Sequence, residues 1–135
     1  VAIYPDQDLD DARREIEDTI RGAAQGDRFL ANNPPEVLYH GFLAEGYVLS
    51  GADEAEAILN RAHKVAYGED LTELATTATT DARFFGLYAD TPGLVYGPIA
   101  ENIHGFDERV SLESVRRNTQ AMAMFIAEWC GLNSA

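Results

Sequence analysis

The chain has 135 residues, 46% of them hydrophobic, enough for one domain with a real core. Its 23 acidic and 10 basic side chains give a net charge of −13, which argues against nucleic acid and anionic membrane as partners. No apolar run approaches the roughly 20 residues of a membrane span. The single Cys130 forms no internal disulfide, and no cysteine pair, Gly-rich phosphate loop or Gly-x-Ser-x-Gly turn occurs.

Residues 1–4 read as a short strand broken by Pro5 and Asp6. Asp8 then caps a predicted helix. Its apolar positions, Leu9, Ala12, Ile16, Ile20 and Ala23, are spaced by three and four and share one face. Arg13, Arg14, Glu15, Glu17 and Asp18 form a solvated opposite face. Asn32-Asn33-Pro34-Pro35 is a loop signal. Residues 36–49 read as a strand through Val37, Leu38, Tyr39, Phe42, Leu43, Tyr47 and Val48, with Gly41 and Gly46 as bulges or bends. His40 within it is read as structural. Strand, helix and strand would form half of a two-layer α+β unit, whose open edge could pair with a second copy.

Ser50-Gly51-Ala52 marks the expected junction between residues 1–50 and 51–135. Asp53 and Glu56 have nearly capping-box spacing, and Ala55, Ile58, Leu59, Ala62, Val65 and Ala66 form the apolar face of the helix that follows. Gly68 is its left-handed stop, and His63 lies on its polar side. Residues 71–77 read as a strand. A short helix over 81–88 is expected to bury Phe84, Phe85 and Leu87, with Arg83 in its first turn. The planar Arg83 fork suits a ligand carboxylate, and equally a salt bridge to Asp81 or another acid.

Leu94, Val95 and Tyr96 lie between Pro92-Gly93 and Gly97-Pro98. Length and stops predict a buried, parallel strand. Ligands in open α/β sheets bind beyond the carboxyl ends of strands. Glu101, Asn102, His104, Asp107 and Glu108 follow at that place. On the residues alone His104 is either a metal ligand or base supported by the two acids, or a plain surface histidine. Ser111 caps the last helix, with Glu113 in its first turn. Leu112, Val115, Thr119, Met122, Ile126 and Trp129 form its expected packing stripe, with Met122 and Met124 as fillers. Cys130 reads as a small buried hydrophobe, Gly131 as the stop, and residues 132–135 as a tail.

In combination, T-D-A-R at 80–83, P-G-L-V-Y-G-P at 92–98, H-G-F-D-E-R-V at 104–110 and the terminal helix are more specific than any one of them. They resemble the C-terminal segment of the metallohydrolase superfamily of aminoacylase, acetylornithine deacetylase, succinyl-diaminopimelate desuccinylase and glutamate carboxypeptidase. Order and spacing match from about Asp53 to Gly131. The resemblance implies an α/β fold. Residues 1–50 would be the second half of an inserted ferredoxin-like lid or dimerisation domain, and residues 51–135 the C-terminal part of a zinc-exopeptidase-like catalytic domain. It implies hydrolysis of an N-acyl amino acid or small peptide at two zinc ions, with cobalt as the alternative metal. His104 would be the last metal ligand, Arg83 and Thr80 would contact a substrate bearing a carboxylate, and Asp107 and Glu108 would support the histidine loop. The His-x-Asp pair, a further acid and the Glu-Glu pair with the general base would lie upstream. A chain with one ligand and no base is expected to be inactive alone. A cytoplasmic homo-oligomer is the matching expectation, and a non-catalytic binding or dimerisation module is the alternative.

Overall fold

The computed structural model of the chain describes residues 2–41 and 43–132. In order, its elements are α1 (Leu9–Gln25), α2 (Asp53–Tyr67), α3 (Ala82–Ala89), β1 (Ala100–Glu101), β2 (Arg109–Val110) and α4 (Leu112–Cys130). The fold is mixed α/β. Backbone contacts divide the chain into two compact units, Val1–Val48 with Ala75–Arg83, and Leu49–Leu74 with Phe84–Ala135. No helix among the described residues is long and apolar enough to cross a membrane.

In the first unit, α1 starts as expected. The Asp8 carboxylate accepts the Asp10 and Asp11 backbone N–H groups, both at 2.9 Å, satisfying two donors that a helix start leaves open. Ala12 and Ala24 are buried, with Leu9, Ile16 and Ile20 half-buried beside them. The stripe therefore passes through Ala24 rather than Ala23. Arg14–Asp11 and Arg21–Asp18 pair along the solvated face; such exposed pairs contribute at most about 1 kcal/mol each.

The strand expected over 36–49 does not form. These residues run extended, but none of those described joins a ladder, and Phe42 lies outside the described residues. A strand needs a partner edge, and the only sheet among the described residues lies in the other unit. Side chains hold the segment instead: the Tyr39 hydroxyl donates to the Arg13 carbonyl at 3.2 Å, with the Arg13 guanidinium 5.2 Å over its ring. Gly41 bends the chain at φ 91°. Gly46 is required for a different reason, because a β-carbon there would strike the Pro5 backbone. His40 is exposed. Residues 2–4 form no strand either, and Val1 is outside the described residues.

In the second unit, α2 packs on α4. The α2 face is Ala55, Ile58, Leu59 and Ala62, as the spacing predicts, but Val65 is exposed. Asp53 is the first helical residue and not the cap. Ala52 occupies the cap position with no side-chain bond, so Asp53, Glu54 and Glu56 act through the positive helix end. Gly68 closes α2 at φ 88°. Lys64 and Asn60 then hold Asp70, at 2.9 and 3.3 Å, and the Leu71 N–H donates to the Asn60 side chain at 2.7 Å. The chain leaves α2 through these bonds, and residues 71–77 form no strand.

Helix α4 begins at the expected cap, with the Ser111 hydroxyl accepting the Ser114 N–H at 3.3 Å. Its buried residues are Ser114 and Ala121, and the expected stripe is turned outward: Leu112, Ile126 and Trp129 are exposed. Small side chains allow close approach to α2, and no sheet among the described residues covers the large ones. Cys130 is likewise exposed, not buried. Gly131 ends the helix at φ 75°, and residues 133–135 of the expected tail lie outside the described residues.

Glu113, in the first turn of α4, binds Arg116 at 2.8 Å and Arg117 at 2.9 Å. These hydrogen bonds pull its carboxyl down from 4.5 to about 2. A depressed folded-state value contributes stability above the unfolded value, and that contribution fades as pH falls from about 4.5 to about 2. In urea titrations at pH 6 and pH 3, Glu113→Gln should therefore lower the midpoint at pH 6 and lower it by clearly less at pH 3. A deficit equal at both values would rule out the ion pairs as its cause.

Candidate metal-ligand loop

The sheet lies after the place where the sequence puts it. Residues 94–96 join no ladder. The strands are the two short segments that flank the histidine loop, and they run antiparallel, with Ala100 opposite Val110 and Glu101 opposite Arg109. The Ser111 N–H donates to the Ile99 carbonyl at 2.9 Å below this ladder. Across it, the Arg109 guanidinium pairs with Glu101, its Nε donating at 2.7 Å.

Within the loop, the Gly105 N–H closes a turn on the Asn102 carbonyl at 2.7 Å. Asn102, His104 and Asp107 all adopt left-handed backbone, with φ of 53°, 64° and 58°. Asn, Asp and His tolerate that region better than other side chains, but each pays some strain there. Three such residues in one loop are the strain pattern that clusters at functional sites. The His104 side chain is exposed, as are those of Ile103 and Phe106. Neither Asp107 nor Glu108 bonds the His104 ring among the described residues. Its imidazole is open to a metal, and the described residues gather no group of three His, Cys, Asp or Glu around one. The donor chemistry therefore fits one imidazole ligand, not a whole centre.

Thr80 and Arg83 lie together in the first unit. The Thr80 hydroxyl accepts the Ala82 N–H at 3.4 Å, and its carbonyl accepts the Arg83 N–H at 3.5 Å, which starts α3. Arg83 is only 6% exposed and already engaged by other groups of the chain. Phe84 and Phe85, expected to be buried, are exposed. The buried side of this helix thus belongs to the arginine, because no apolar layer among the described residues covers the phenylalanines.

Sequence reasoning missed two groups. His63 is not simply exposed: it stacks on Tyr67 with ring centroids 4.3 Å apart, and its Nδ1 lies 2.8 Å from the Tyr96 hydroxyl. Burial, then the neighbouring Tyr67, pushes the Tyr96 phenol up to about 12, so Tyr96 keeps its proton beside the imidazole. The His63–Tyr67 spacing of four was a legible signal for the stack, but nothing local announced Tyr96. The second missed residue is Ser114, which reads as an ordinary first-turn serine yet is buried against the base of the loop.

With this geometry in hand, comparison with known proteins defines the class. The profile of the peptidase family M20/M25/M40 matches residues 36–128, and the chain belongs to that family. Among curated proteins it is 23% identical to the N-formyl-4-amino-5-aminomethyl-2-methylpyrimidine deformylase of Halalkalibacterium halodurans, over 98% of this chain and 33% of that protein. It is 27% identical to the protein of the same name from Bacillus subtilis, over 96% of this chain and 32% of that protein. The chain spans about a third of the length of these relatives.

Proposed function

We propose that the chain acts as the C-terminal part of a metal-dependent amidohydrolase. The strained, surface-turned His104 loop is the observation that carries this reading, because it holds an unengaged imidazole at the tip of a fixed hairpin. His104 would hold a divalent ion, zinc or cobalt, as one ligand of a two-metal centre. When bound, such a centre polarises the amide carbonyl and lowers the pKa of water. Asp107 and Glu108 would orient the imidazole once the centre is assembled. Thr80 and Arg83 would contact the substrate, and the general base would lie outside these residues.

Two substrate readings follow from different observations. A planar, always charged Arg83 favours an N-acyl amino acid or small peptide whose carboxylate it would read. The relatives' names favour an N-formyl group on an aminomethylpyrimidine, which has no carboxylate. The burial of Arg83 favours this second substrate class. A homo-oligomer in the cytoplasm belongs to the same proposal, with residues 1–50 as the lid or dimerisation part.

The test is hydrolysis by the longer enzyme carrying this chain, with and without a chelator. The panel is N-acetyl amino acids, dipeptides and the formylated aminomethylpyrimidine. Chelator-sensitive release of a free amine is the expected result, and the substrate turned over chooses between the two readings. No turnover by folded, zinc-loaded protein would favour a binding module that self-associates through residues 36–49.

A further inference from the structure

We propose that Ser114 is a positioning residue for the His104 loop, acting on the metal through the base of the hairpin. This rests on the reading of His104 as a ligand. Ser114 is 3% exposed, in the first turn of α4. Its hydroxyl makes two bonds, one to each foot of the hairpin. It accepts the Ile99 N–H at 2.9 Å, where the chain enters, and donates to the Ser111 carbonyl at 2.7 Å, where the chain leaves. The Ser114 carbonyl in turn accepts the Tyr67 hydroxyl at 2.9 Å, which ties the same residue to α2.

The hairpin needs such an anchor. Its ladder has two residues per strand, too few to be stable alone, and its loop holds three left-handed non-glycine residues. Strain of that kind persists only where the surroundings over-determine it. The exposed Arg109–Glu101 pair is screened by water and contributes little. The buried hydroxyl is the stronger constraint, because its loss leaves the Ile99 N–H without its acceptor. A small rotation at Ile99 and Ser111 becomes a larger displacement at His104, five residues beyond Ile99.

Zinc affinity of the longer enzyme, measured by competition with a chromogenic chelator, tests the proposal independently of turnover. The absorption spectrum of the cobalt(II) form gives a second readout of ligand geometry. Ser114→Ala should weaken zinc binding by about 10- to 100-fold, the range for residues that orient metal ligands, and alter the cobalt spectrum. Ser114→Thr, which keeps the hydroxyl, should restore both. Tyr67→Phe removes a hydrogen bond to the same residue without touching the hydroxyl that holds Ile99, and should leave zinc affinity within about twofold. Because both act through one ligand, Ser114→Ala with His104→Asn should bind zinc no more weakly than His104→Asn alone. If His104→Asn weakens zinc binding and Ser114→Ala does not, or if Tyr67→Phe weakens it as much, the positioning role is overturned. If His104→Asn itself leaves affinity unchanged, the ligand reading fails and the positioning role with it.

Discussion

His104→Asn in the longer enzyme is expected to lower turnover by more than about 100-fold, beyond the effect typical of groups that merely support a ligand. Asn is the informative replacement. It tolerates the left-handed backbone that His104 adopts at φ 64°, whereas Ala would add strain of up to about 1–2 kcal/mol and confuse folding with chemistry. The side chain is exposed at a loop tip, so stability should change by no more than about 0.5 kcal/mol. Rate, bound zinc and urea midpoint should be measured on one preparation. A tenth of the expected loss with full zinc content would mean that the imidazole binds no metal.

Gly46→Ala should be the most disruptive small change in the first unit. The added methyl would lie on the Pro5 backbone, and backbone cannot swing aside as a flexible side chain does. Overlap of this kind costs about 1–3 kcal/mol, a large part of the stability of an ordinary domain. The urea midpoint should fall accordingly, with early protease cleavage near residues 36–49. Gly41→Ala is the comparison: nothing lies near its β-carbon, but φ is 91°, so it should cost only the smaller penalty of left-handed backbone. A loss at Gly46 no larger than that at Gly41 would show that the approach of Pro5 does not set the cost there.

The elements governed by neighbours within one or two helical turns were legible. Asp8 and Ser111 act as caps, Gly68 and Gly131 as stops, and the Ala55, Ile58, Leu59 and Ala62 face is buried. Each depends on a side chain meeting backbone or solvent a few residues away, and sequence spacing encodes that directly. The combination of T-D-A-R, P-G-L-V-Y-G-P, H-G-F-D-E-R-V and the terminal helix is legible as a resemblance to the metallohydrolases, and the family match agrees.

Tertiary structure decided what depends on a distant partner. Residues 36–49, 71–77 and 94–96 have strand composition, yet ladders form only where a second edge is present, and the described residues pair only around the histidine loop. Arg83 is buried and Phe84 and Phe85 are exposed because the covering layer, and not hydrophobicity, selects the inner face of a short helix. The phase of α4 turned for the same reason: close contact with α2 selected Ser114 and Ala121 over the larger side chains. Ser114 shows the difference most clearly. Its place in a first helical turn was written in the chain, but its hold on Ile99, fifteen residues earlier, exists only once the hairpin folds back onto the helix.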